Sequence, residues 1–74
     1  MIKIYTGKRC PDCKIIKKHF EGKDVEITWV DTDTPEGYAE ASLDDVYSLP
    51  TAKISGVRIV GRTAIIRAVE EYTH

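Results

Sequence analysis

The only two cysteines of this 74-residue chain stand two residues apart, where one hydrophobic period gives way to another. Ile2 to Tyr5 alternates apolar and polar side chains, the period of a half-buried strand. Thr6-Gly7 breaks that run. From Cys10 onward the apolar positions become Cys13, Ile16 and Phe20, flanked by Ile15 and His19, a stripe along one face of a helix. Pro11 suits the first helical position, where its missing N–H costs nothing, and Gly22 suits the helix end. Cys10-Pro11-Asp12-Cys13 therefore joins a first strand to a first helix, with Cys10 at the helix start.

The remaining chain supplies the partners such a unit needs. Val25, Ile27 and Trp29 alternate along a second strand ending near Val30-Asp31. Thr34-Pro35-Glu36 reads as an N-cap, a proline at N1 and an acidic first turn, opening a helix expected to run to about Tyr47. Gly37 and a thin apolar stripe weaken it, and Ser48-Leu49-Pro50 stops it. Thr51 to Ile54 and Val57 to Val60 form two short strands joined tightly at Ser55-Gly56. Ile65, Ala68, Val69 and Tyr72 mark one face of a closing helix that begins near Arg62 or Thr63. The order β-α-β-α-β-β-α predicts an α/β fold, a four-stranded mixed sheet with three helices. Parallel strands are usually apolar on both faces, whereas these alternate, so part of the sheet is wetter than usual or Lys53 lies at an edge.

Residues 1–74 make one domain, small enough that only about 60% of the unfolded surface is buried on folding. A net charge of −1 argues against a nucleic-acid or membrane binder driven by bulk charge. The charge is unevenly placed. Lys3, Lys8, Arg9, Lys14, Lys17, Lys18 and Lys23 face only Asp12 and Glu21 over residues 3–23, whereas residues 24–45 carry acidic groups and no Lys or Arg. Met1 to Tyr5 lacks the apolar core of a signal peptide, and no run is long enough for a membrane span. Two cysteines in one C-x-x-C do not make a secreted disulfide framework, so the cytoplasm is the expected compartment.

A thiol attacks a disulfide as its thiolate, and the unpaired N–H groups of a helix start stabilise an anion at Cys10. Lys8, Arg9 and Lys14 add positive charge nearby, whereas Asp12 opposes it slightly unless its side chain splays into water. Cys13, one turn on, lies on the same face and can resolve a mixed disulfide formed at Cys10. The expected roles are an exposed nucleophile, Cys10, and a buried resolving thiol, Cys13. Alone, C-x-x-C fits redox work, half a zinc site or neither; its place after a strand and at a helix start favours redox work. A four-ligand zinc site would need partners, and only His19, about two turns along, and His74 at the chain end are candidates. Asp31 and Asp33, without further ligands, suit a turn better than a metal. Trp29 reads as core or sheet surface, Asp44-Asp45 as a solvated helix face, and Tyr5 either as a neighbour of the dithiol or as a plain strand residue. The lysines of the first helix read as a solvated face that could also orient an acidic partner.

These residues together resemble the glutaredoxin family, including the small glutaredoxin-like redoxins that serve ribonucleotide reductase. The resemblance spans nearly the whole chain, through Ile4-Tyr5-Thr6, Cys10-Pro11-Asp12-Cys13, Val30 to Glu36, Leu49-Pro50-Thr51 and Gly61. It implies a thioredoxin-like fold and a dithiol–disulfide oxidoreductase that reduces protein disulfides or mixed disulfides as a monomer, without a bound cofactor. Electrons would come from glutathione as co-substrate or from a thioredoxin-reductase-like flavoenzyme, with no nucleic-acid or membrane partner. It also implies that Pro50 is cis and faces the dithiol with Pro11, that the Leu49 main chain pairs with substrate, and that Gly61, Arg62 and Thr63 receive a carboxylate. Three departures bear on glutathione: Gly7 stands where the family carries Lys or Arg, leaving Lys8 or Arg9 to substitute, Val60 replaces a glycine, and Ala64 replaces an aspartate. The rival reading is a soft-metal carrier holding copper or zinc on the same two thiolates. Such small copper domains usually carry methionine where Lys8 stands and end in a strand rather than a helix.

Overall fold

A computed structural model describes residues 1–73, in which seven elements follow the expected order. They are β1 (Ile2–Thr6), α1 (Pro11–Phe20), β2 (Thr28–Asp31), α2 (Pro35–Leu43), β3 (Thr51–Ile54), β4 (Val57–Val60) and α3 (Arg62–Tyr72). His74 lies outside the described residues. The strands form one mixed sheet in the order β2-β1-β3-β4, with β1 parallel to β2 and antiparallel to β3. Among the described residues no helix is long and apolar enough to cross a membrane.

Alternation along the strands divides the sheet into two unlike faces. Ile2 and Ile4 pair with Ile54 and Ala52 and build the main core with Ile16 and Phe20 of α1 and Ile65 and Val69 of α3. The opposite face carries Lys3, Tyr5, Thr51 and Lys53, and packs on α2 through Tyr5, Val30 and Ala41. Its charges are paired: Lys3 with Glu40 at 2.7 Å and Lys53 with Asp44 at 3.2 Å. The wetter face is therefore the explanation for the alternating strands, because Lys53 sits on β3, an interior strand, and not at an edge.

Local chemistry sets most boundaries. The Thr34 hydroxyl caps α2 by accepting the Gly37 N–H at 3.0 Å, with Pro35 following it. Gly37 is required by close approach, since a Cβ there would overlap the Asp31 carbonyl. Ser55 and Gly56 both have positive φ, as a two-residue type I′ hairpin turn requires. Two expectations need correction. The second strand starts at Thr28; Val25 and Ile27 precede it and pack against the core without pairing, so their alternation reports burial alone. The second helix ends at Leu43 rather than Tyr47, where Asp45 adopts positive φ and the chain turns back toward the sheet.

That early end places Asp44, expected to be solvated, against the sheet. Its carboxylate accepts a hydrogen bond from the hydroxyl of Tyr5, a side chain with no exposed surface. The bond from Tyr5, then that from Lys53, holds the Asp44 carboxyl below its ordinary value of 3.8. Burial, followed by the neighbouring Asp44 carboxylate, pushes the Tyr5 hydroxyl well above its ordinary value.

Two outcomes follow. Gly37→Ala should lower stability by about 1–3 kcal/mol in urea unfolding, as overpacking does, and an unchanged midpoint would contradict the close approach. A carboxyl depressed in the folded state stabilises above its unfolded value and loses that contribution as pH falls through the folded one. Stability of the parent should thus drop more steeply below pH 3.8 than that of Asp44→Asn; parallel acid limbs would count against the pairing.

Candidate active site

Cys10 sits at the N-cap of α1 in extended conformation, and its Sγ accepts the Cys13 backbone N–H at 3.1 Å. The Cys10 carbonyl also accepts the N–H groups of Cys13 and Lys14. The helix start thus directs one N–H at the sulfur, an arrangement that stabilises a thiolate. Cys13 faces inward beside Ile16, and the two cysteines are joined by a disulfide with their Cα atoms 5.2 Å apart. Both are buried, Cys10 at 6% and Cys13 at 1% exposure, so the nucleophile expected to be exposed shows only an edge of its sulfur-bearing side chain.

That edge lies in an open depression of about 360 Å³, lined by Lys8, Arg9, Pro11, Asp12, Asp33 and Leu49 along with Gly7. Cys13 lines an adjoining, smaller recess of about 150 Å³ with Thr6, Lys14, Lys17 and Asp31, and Gly7 and Lys8 border both. Leu49, which lines the first depression, is joined to Pro50 by a cis peptide, and the Pro50 carbonyl accepts the Gly61 N–H at 3.1 Å. This bond ties the start of α3 to the proline loop. Gly61 has φ of 101°, open to glycine at little cost, and caps α3 without a side-chain bond. Arg62 reaches Asp12 at 3.3 Å. Lys8, Arg9, Pro11 and Leu49 therefore meet at Cys10, Arg62 is tied to the site through Asp12 and Gly61 to the Pro50 carbonyl, and Pro50, Gly61, Arg62 and Thr63 do not line the depression.

Three features were not legible from spacing. Gly7 is crowded: a Cβ there would lie 2.9 Å from Leu49 Cδ1 and 3.3 Å from Thr32 Oγ1. The Asp33 carboxylate faces the same spot, 3.6 Å from that Cβ position, and accepts the Lys8 backbone N–H at 2.6 Å. Where the resemblance expects a cation, the site thus holds a carboxylate and a leucine. Asp12 does not simply splay into water, because Arg62 engages it and offsets the charge it brings to Cys10. Tyr5 points away from the dithiol to Asp44, so it belongs to the sheet and α2.

Other candidates have structural roles. Trp29 packs against the core with the Lys17 ammonium 5.6 Å from its ring centroid. His19 is half-buried and lies 3.4 Å from Glu70. Asp31 takes the Asp33 N–H at 2.9 Å in a turn. Among the described residues no three His, Cys, Asp or Glu side chains form a group that could hold a metal ion.

No family model matches the sequence, and no curated protein matches it. Solved structures do match. The thioredoxin-like protein BC3987 is 27% identical, with a TM-score of 0.72 over 96% of this chain and 97% of that one. A point mutant of the same protein is 25% identical, with a TM-score of 0.76 and all of both chains covered. Thioredoxin 1 from Thermosipho africanus TCF52B, at 22% identity, shares the fold with a TM-score of 0.63 over 97% of this chain and 92% of that one. A thioredoxin-like fold with a paired dithiol at the start of α1 defines a thiol oxidoreductase in the broad sense. The chain is thus a redoxin of the thioredoxin superfamily, and these likenesses do not single out its glutaredoxin branch.

If Arg62 screens Asp12, Arg62→Ala should raise the titration midpoint of the Cys10 thiolate in the reduced protein, and Asp12→Asn should lower it. Iodoacetamide alkylation against pH reads both; shifts of the opposite sign would refute the screening.

Proposed function

We propose that the protein is a dithiol–disulfide oxidoreductase that reduces protein disulfides in the cytoplasm and is itself reduced by a thioredoxin-reductase-like flavoenzyme in preference to glutathione. The observation that carries the chemistry is the placement of both sulfurs on the first turn of α1, one at the cap and one beneath it. In the reduced protein the Cys10 thiolate attacks one sulfur of a substrate disulfide. The substrate S–S bond breaks, its second sulfur leaves as a thiolate and takes a proton, and a mixed disulfide forms at Cys10. Cys13, deprotonated, attacks Cys10 Sγ and releases the first substrate sulfur as a second thiol. The substrate gains two electrons, and Cys10–Cys13 is left as the disulfide. The flavoenzyme's dithiol then returns two electrons to it.

The choice of reductant rests on the neighbourhood of Gly7 and Ala64. A glutathione carboxylate approaching the Gly7 side would meet Asp33 in place of a cation, and Leu49 occupies the room a long side chain would need. Ala64 offers no carboxylate for the glutathione amino group. A protein reductase needs neither contact; an extended segment laid across Leu49 beside Pro50 suffices. The midpoint potential is expected between roughly −200 and −270 mV, the range of glutaredoxins and thioredoxin.

An NADPH-coupled insulin-disulfide assay separates the donors, with glutathione and its reductase in one arm and thioredoxin reductase in the other. Turnover should be at least about tenfold faster in the second arm and absent for Cys10→Ser in both. A faster glutathione arm would overturn the choice of donor, and turnover by Cys10→Ser would overturn the assigned nucleophile.

A further inference from the structure

The net charge of −1 conceals two poles, and the dithiol lies against the positive one. Among the described residues the ion pairs are Lys3–Glu40, Lys53–Asp44, Arg62–Asp12 and His19–Glu70. None of them uses Lys8, Arg9, Lys14, Lys17 or Lys18. Lys8 and Arg9 line the depression over Cys10, and Lys14 and Lys17 line the recess at Cys13. Lys18, four residues after Lys14, continues the same exposed stripe.

Of the carboxylates nearby, Asp12 is paired with a cation, and Asp31 and Asp33 are tied to backbone N–H groups of the turn. Arg62 holds Asp12, the Lys8 N–H holds Asp33 and the Asp33 N–H is held by Asp31. Glu36, Glu40, Asp44 and Asp45 lie on α2 or directly after it, and α2 packs on the opposite face of the sheet from α1. Among the described residues Lys14, Lys17 and Lys18 thus have no ion-pair partner, Lys17 resting over the Trp29 ring, and the recess that Lys14 and Lys17 line holds one carboxylate, Asp31. Whatever these lysines attract must also bring a disulfide within reach of Cys10, which a nucleic acid or a lipid does not.

We infer that the disulfide this protein reduces lies in an acidic protein segment, whose carboxylates flank the cystine and dock on Lys14, Lys17 and Lys18 of α1. The inference rests on the oxidoreductase reading above and adds the chemical class of its substrate. A charge-lined site raises the encounter rate with an oppositely charged partner by 10-fold to 1000-fold, in proportion to how little salt screens it.

The probes are three peptides of one length, each closed by one cystine and flanked by Asp and Glu, by Ser, or by Lys. Single-turnover reduction is followed with protein previously reduced by dithiothreitol. At ~10 mM salt, where screening reaches about 30 Å, the acidic peptide should react at least roughly tenfold faster than the basic one. At ~1 M salt, with screening at about 3 Å, the two should agree within about twofold. Replacing the three lysines (Lys14→Glu, Lys17→Glu, Lys18→Glu) should invert the low-salt ratio. The milder Lys14→Gln, Lys17→Gln, Lys18→Gln protein should bring it near unity. The ratio cancels any change in thiol reactivity, and the salt series needs no variant to fold. Equal low-salt rates, or a preference that survives these replacements, would overturn the inference while reduction of the Ser peptide upheld the oxidoreductase reading. Failure of the unaltered protein to reduce the Ser peptide would overturn both.

Discussion

The junction between β1 and α1 governs where both sulfurs lie. Thr6 ends β1 and is pinned to the β2 side: its carbonyl accepts the backbone N–H and the hydroxyl of Thr32, each at 2.9 Å. The chain then turns through Gly7, Lys8 and Arg9 and enters α1 with Cys10 as its cap. Ile16 and Phe20 sink into the main core and fix the rotation of the helix about its axis. Cys13 shares their face, so the stripe that anchors α1 also buries the second sulfur. With 3.6 residues per turn, a shift of one residue in the register of α1 would turn Cys13 by about 100°, away from the core face that buries it.

The two sheet faces divide labour around that junction. The face under α1 and α3 is apolar and close-packed, a rigid seat for the dithiol. The face under α2 is held by fewer apolar contacts and by a charged set built on Tyr5, Lys3, Lys53, Glu40 and Asp44. Breaking one member of that set leaves a partner partly buried and unpaired, which costs more than the pair itself contributes. The proline loop links the two regions: Thr51 follows Pro50 into β3, and the Pro50 carbonyl holds the start of α3.

Much of this was legible in the sequence where local chemistry decides. The Thr34-Pro35 cap, the Ser55-Gly56 hairpin and the α1 stripe name their elements because each is settled within a few residues. Val25 and Ile27 misled because burial under a sheet's edge gives the same alternation as pairing within it. The α2 end misled because Tyr47, though apolar, is exposed and holds no helix, whereas the bond from Tyr5 to Asp44 spans 39 residues. The dithiol was readable as a motif, but its surroundings were not. Arg62 meets Asp12 across 50 residues, and the closeness of Leu49 and Asp33 to Gly7 arises only when three separate loops converge. Those long-range neighbours decide which charges reach the sulfur.

The central claim is a division of roles, with Cys10 attacking and Cys13 resolving. Mass spectrometry of a mixed disulfide tests it most directly, using reduced Cys13→Ser and Cys10→Ser proteins incubated with a cystine peptide. The Cys13→Ser protein should accumulate one peptide adduct, located at Cys10 and released by dithiothreitol, and the Cys10→Ser protein should accumulate none. An adduct formed as readily on Cys13 in the Cys10→Ser protein, or no adduct on Cys10 in the other, would contradict the assignment.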